Sequence, residues 1–166
     1  ICWNDEPVSA QQCEAYQQLF SVIFADFYLF DQLLGLDVLD EHAQYYLDKL
    51  KLAHKVTIHE GRLSTTNLSF GQRKRLALLT AYLEDRPIYI FDEWASGQDP
   101  EFRELFYYQL LPELKQKGKL VIVISHDDHY FALADRVIKL DFGLIEADSC
   151  LCHQAHENAS LIPAIT

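Results

Sequence analysis

The chain has 166 residues, 49% hydrophobic and 13% aromatic, enough for one globular core and against wholesale disorder. Its formal net charge of −11 and pI near 4.9 argue against nucleic acid as a main partner, because phosphate backbones need basic clusters. No leader-like segment opens the chain, and runs such as KLVIVIS fall far short of the roughly 20 apolar residues of a membrane span.

In chain order, ICWNDEPVSAQQ reads as a short strand, a polar turn and a proline-led connection. Starting at Ile1, with no methionine anywhere, the chain is expected to be part of a longer protein. Phe20–Phe24 reads as a buried strand that Asp26 ends. Residues 36–54 have helical spacing, with Leu39, Tyr46, Leu47 and Leu50 near one face. KVTIHEGRLSTTN, with Gly61 and a Ser/Thr/Asn cluster, reads as a loop. A helix is expected from Ser69 to about Leu83, striped by Leu76, Leu79 and Leu83.

RPIYIFDE is a strand ending in two carboxylates. PEFRELFYYQLLPELKQKG is helical with proline in its first turn; Pro112 breaks it or starts a second short helix, and Gly118 ends it. KLVIVISHDD is a second apolar strand, and RVIKLDFGLIEAD a hairpin around Asp141–Gly143. Strand, helix, strand over residues 87–124 is a βαβ unit with parallel strands and a right-handed crossover. Strands this apolar are expected to be buried on both faces, as in an α/β sandwich.

Ligands of open α/β sheets sit beyond the carboxyl ends of the strands. One strand ends in Asp92-Glu93 and the other in Ser125-His126. If the strands are near neighbours, these groups share one edge. Adjacent acids after an apolar strand are costly unless they serve a cation or a proton transfer, and Mg²⁺ favours one or two carboxylates with phosphate oxygens. Asp92 is therefore the candidate Mg²⁺ ligand and Glu93 the residue that orients or deprotonates water. His126 is the candidate contact to a terminal phosphate. Ordinary solvated loop-start carboxylates are the competing reading.

Ser69-x-x-Gln72 fits a capping box. The same helix start also makes an anion site, with exposed N–H groups, the helix dipole and a hydroxyl, while Gly71 permits close approach of a phosphate. Both readings are compatible. The four cysteines, Cys2, Cys13, Cys150 and Cys152, are too few and too unevenly placed for a disulfide framework in a chain of this size; reduced thiols, fitting the cytosol, are expected. Cys150, Cys152, His153 and His156 raise a metal question, set against a reduced, mobile tail.

Together these pieces resemble the ATPase domain of ABC transporters. LSFGQ (Leu68–Gln72) is similar to the family's signature motif, IYIFDE (Ile88–Glu93) to its Walker B strand with the catalytic glutamate, SGQD (Ser96–Asp99) to its D-loop and ISHD (Ile124–Asp127) to its switch-histidine motif. The resemblance covers residues 1 to about 147, and the flanking sequences look most like bacterial exporters of cyclic peptides and siderophores. It implies an α/β fold: a P-loop NTPase-type parallel sheet core with an inserted helical subdomain at about 31–85, a C-terminal hairpin, and a polar tail over 148–166. The core is incomplete, because no G-x-x-x-x-G-K-[ST] phosphate loop is present.

The resemblance further implies ATP and Mg²⁺ as ligands and a second ATPase domain docked head to tail. Ser69, Gly71 and Gln72 would act in trans on ATP held by the partner, Asp92, Glu93 and His126 in cis, and Asp99 across the dimer. Transmembrane domains of the same transporter would be further partners, placing the chain at the cytoplasmic face of the bacterial inner membrane; nucleic acid would not be a partner. Departures are Ala25 at the Q-loop glutamine, with Asp26 as a substitute or the role lost, Phe70 at the first signature glycine, and Trp94 at a small residue, read as packing or dimer surface. His129 reads as a surface position. The alternatives are a soluble ABC-type ATPase of translation or DNA repair, and a truncated, non-catalytic fragment. The chain alone is expected to lack ATPase activity and to expose an apolar face.

Overall fold

The computed structural model describes residues 2–3, 6–33 and 40–151. Leu39, Cys152, His153, His156 and the rest of the tail lie outside them. The chain divides into two compact units, Ile1–Ser125 and His126–Thr166.

The first unit is organised by a three-stranded parallel sheet, β3 (Phe20–Ile23), β6 (Ile88–Asp92) and β7 (Leu120–Ile124), in the order β3-β6-β7. Before it come a two-stranded pair, β1 (Cys2–Trp3) with β2 (Glu6–Pro7), and the short helix α1 (Cys13–Gln17). The expected parallel βαβ pairing is present, and its register is Ile90 opposite Val22 and Ile122.

Burial alternates along these strands. Ser21, Ile23, Tyr89 and Phe91 face the helices and are buried, whereas Val22, Leu120, Ile122 and Ile124 are exposed. The expectation of strands buried on both faces is therefore corrected: helices of this unit cover only one face, as expected for the chain taken alone. Asp92 pairs with Ile124, so its carboxylate leaves the sheet on the open side.

The covering layer consists of α2 (Asp40–Lys49), α3 (Phe70–Glu84), and the segment α4 (Pro100–Leu105) to α5 (Leu111–Gln116). Leu47 and Leu50 of the α2 segment are buried as expected and Tyr46 stacks on Tyr82 of α3. Between α4 and α5, Phe106–Leu110 form a π turn. Pro112 follows after Leu111; a proline ring clashes with the carbonyl four residues back, here that of Tyr108 within the turn, and the widened turn accommodates it. Gly118, at φ +74, ends the helix.

KVTIHEGRLSTTN is not only loop: β4 (Ile58–His59) and β5 (Arg62–Leu63) pair around Glu60 and Gly61, both at positive φ. The second unit is the expected hairpin, β8 (Arg136–Asp141) and β9 (Leu144–Cys150), turning through Phe142 and Gly143, both at positive φ. Cys150 is disulfide-bonded and Cys13 is free, which corrects the expectation that all cysteines are reduced.

Glu113 of α5 is bonded to Lys49 of α2 and, at 3.0 Å, to Lys117. Burial would raise its pKa, but hydrogen bonds and charge from the two lysines outweigh this and hold it below the ordinary value of 4.5. A carboxylate depressed by folding contributes stability above its unfolded pKa and loses it as pH falls through the folded value. We therefore expect the thermal midpoint of the wild type to fall more steeply below pH 4.5 than that of Glu113→Gln. Parallel acid limbs would exclude the bridge as a stabilising contact.

Candidate functional site

Ser69 caps α3 in extended geometry, with its hydroxyl accepting from the Gln72 N–H at 3.4 Å and its own N–H donating to Gln72 Oε1 at 3.2 Å. The expected capping box is present. The first N–H groups of a helix have no intrahelical partner, so this start carries the partial positive charge that attracts anions. Gly71 faces the 97–98 turn: a Cβ there would meet the Gly97 carbonyl at 3.4 Å. Its carbonyl accepts from Gln98 Nε2 at 3.1 Å.

Asp92 and Glu93 close β6. The Glu93 N–H still donates to the Ile124 carbonyl at 3.0 Å, yet its φ is +48. Left-handed backbone costs a side-chain-bearing residue about 1 kcal/mol, so the surrounding contacts hold the turn. The largest set comes from Lys74, which is 2% exposed. Its ammonium donates to the carbonyls of Glu93 (2.9 Å), Trp94 (3.2 Å) and Ser96 (2.8 Å). Burial lowers the Lys74 pKa, while the charges of Glu93 and Asp92 act in the opposite direction.

Trp94 is fully buried against Phe91, Phe102 and Phe106, and its indole N–H donates to the Lys74 carbonyl at 3.1 Å. It is a packing residue, not dimer surface. Gln98 is buried between Gly71 and Arg75, whose Nε donates to its Oε1 at 3.0 Å. Arg75 also pairs with Asp99 and lies 3.7 Å from the Phe102 ring centroid. Asp99 caps α4 by accepting from the Phe102 N–H at 2.9 Å. That hydrogen bond, with Arg75, outweighs desolvation and holds its carboxyl below the usual range.

The structure therefore brings Ser69, Gly71, Gln72, Asp92, Glu93 and Asp99 into one unit, with the start of α3 fastened to the loop after β6. His126 opens the second unit and is outside this geometry. Ala25 and Asp26 are exposed in the turn after β3. Sequence reasoning missed Lys74, Arg75 and Gln98. A lysine four residues before Leu78 and seven before Ala81, both buried, was the available signal for the first.

Among the described residues no three or more His, Cys, Asp or Glu gather to hold a metal. A strand-end carboxylate such as Asp92 suits Mg²⁺, which takes few protein ligands and completes its shell with water and phosphate oxygens. No helix among the described residues is long and apolar enough to cross a membrane.

Residues 1–96 match the family model described as ABC transporter. The ATP-binding protein SyrD of Pseudomonas syringae pv. syringae is 54% identical over 138 residues, which is 80% of this chain and 24% of that protein. The ATP-dependent lipid A-core flippase of Pasteurella multocida is 36% identical over 107 residues, 64% of this chain and 18% of that protein. The chain thus spans at most about a quarter of the length of these two relatives.

Among solved structures, a bacterial Atm1-family ABC exporter with ATP bound has a TM-score of 0.70 at 16% identity, covering 87% of this chain and 28% of that one. A dimeric post-hydrolysis ATP-binding cassette bound to ADP and Pi has a TM-score of 0.68 at 22% identity, covering 90% and 72%. At these identities the likeness establishes the α/β fold alone.

Proposed function

The chain belongs to the ABC transporter family, and from that premise we propose that it is the later part of an ATP-hydrolysing motor domain in a bacterial exporter. The observation that carries the reading is the pairing of Asp92-Glu93, at the carboxyl edge of a parallel sheet, with a capped helix start bearing Ser69, Gly71 and Gln72 in the same unit. The proposed cargo is a peptide or siderophore. The proposed place is the cytoplasmic face of the inner membrane, beneath transmembrane domains of the same transporter.

The proposed roles rest on the family resemblance, and the geometry of the first unit is compatible with them. Glu93 accepts a proton from the water that attacks the terminal phosphate, and the fixed turn at its backbone sets where the carboxylate reaches. Asp92 would hold Mg²⁺, which would neutralise charge on the phosphate oxygens. Ser69, Gly71 and Gln72 cover a phosphate of ATP seated on a second ATPase domain, docked head to tail. Asp99 lies at that junction and relays its state through Arg75; for His126, contact with a terminal phosphate rests on the family resemblance alone. ATP closes the pair, hydrolysis reopens it, and the motion drives transport.

Ser69→Ala in the full-length protein tests the reading. Loss of a cap alone costs about 1 kcal/mol of stability and leaves turnover per folded molecule unchanged. Loss of a hydrogen bond to a charged phosphate lowers kcat/KM for ATP by roughly tenfold to a hundredfold. We expect the second result; a lower melting temperature with wild-type kcat/KM would reduce Ser69 to a cap.

A further inference from the structure

We propose that Lys74 is a positioning residue for Glu93: its buried ammonium gathers the main-chain carbonyls of Glu93, Trp94 and Ser96 and so fixes the direction in which the Glu93 side chain leaves the end of β6. The inference rests on the reading of Glu93 as the residue that activates water.

A lysine side chain has three N–H donors and no acceptor. Here all three have carbonyl acceptors, at 2.8 to 3.2 Å, drawn from only four consecutive residues. A cation nearly removed from water is costly unless fully hydrogen-bonded, so an apolar or amide residue would serve better if only filling were required. What an ammonium adds is convergence: three carbonyls can point at one charge. That convergence bends the chain sharply after β6, and Glu93 takes its left-handed φ of +48 in the same bend.

The attachment is closed from the other side. The Trp94 indole donates to the Lys74 carbonyl, so side chain and main chain of Lys74 hold the same loop. Trp94 is itself anchored by Phe91, Phe102 and Phe106. Lys74 stands five residues after the cap Ser69 on α3. The backbone of Glu93 is thus referenced to the helix that starts at Ser69 as well as to its own strand.

The test is a double-mutant cycle on ATP turnover in the full-length protein, using Lys74→Met, Glu93→Gln and the pair. Lys74→Met should lower kcat about tenfold to a hundredfold, the cost of misplacing a reacting group by about 1 Å, with KM for ATP within about twofold. On the Glu93→Gln background it should cause no further loss, because Lys74 acts through Glu93. Wild-type kcat in Lys74→Met overturns the proposal. So does an equal loss on both backgrounds, which would mark a structural role independent of Glu93. If Lys74→Met does not fold, Lys74→Gln keeps a polar head at the same place and enters the same cycle with the same expectations. Should Glu93→Gln turn over like the wild type, the reading of Glu93 fails first and the role of Lys74 falls with it. A loss in Glu93→Gln with none in Lys74→Met removes the role of Lys74 alone.

Discussion

Glu93→Gln in the full-length protein should retain ATP binding and lose turnover by at least about a hundredfold, within the 10²- to 10⁴-fold range of general-base catalysis. Glutamine keeps the size of glutamate but cannot accept the proton of an attacking water. The backbone contacts at this residue, from the Glu93 N–H to the Ile124 carbonyl and from Lys74 to the Glu93 carbonyl, do not depend on the carboxylate, so the fold should be preserved. Initial-rate hydrolysis and nucleotide binding measured on one preparation check both halves. Unchanged turnover would exclude Glu93 as the base; weakened binding with unchanged turnover per bound ATP would make it a binding residue.

Trp94→Ala should destabilise the domain by about 3–5 kcal/mol, the range for removing a large buried aromatic side chain. Trp94 is 0% exposed and touches Phe91, Phe102 and Phe106. Truncation opens a cavity between sheet and α4 and leaves the Lys74 carbonyl without the indole N–H. Trp94→Phe fills most of that space and should cost much less. Denaturant unfolding of the three proteins gives the comparison. A cost below about 1 kcal/mol for Trp94→Ala would mean that the loop collapses onto the space and that Trp94 does not brace it.

Much of this arrangement was legible in the residues. The helix from Phe70 to Glu84 was announced by Ser69-x-x-Gln72 and an apolar stripe. The β6–β7 pairing followed from two apolar strands flanking a helix, and the 136–150 hairpin from Asp141–Gly143. The β4–β5 pair was not legible, because two-residue strands leave almost no alternation to read and Glu-Gly is a weaker turn signal than Asn-Gly or Asp-Gly.

For the strand faces two expectations stand side by side: apolar composition suggests burial on both faces, and the chain alone is expected to expose an apolar face. The exposed Val22, Ile122 and Ile124 bear out the second, because composition does not report whether anything within the chain covers a residue. Contacts between Lys74 and residues 93–96, or between Arg75 and Asp99, join positions about twenty or more apart. Only the crossover that lays α3 against the end of β6 brings them together. A lysine in a helical sequence reads as solvated surface until three carbonyls are seen around it.

The helix start at Ser69 is proposed to close over ATP held by a second ATPase domain. The most direct measurement is the mass in solution of the complete ATP-binding domain carrying Glu93→Gln, with and without ATP, beside the same protein carrying Ser69→Arg as well. An ATP-dependent dimer is expected for the first and a monomer under all conditions for the second. Equal ATP-dependent dimerisation with Ser69→Arg, or a monomer for both, would mean that Ser69 does not meet ATP on a second domain.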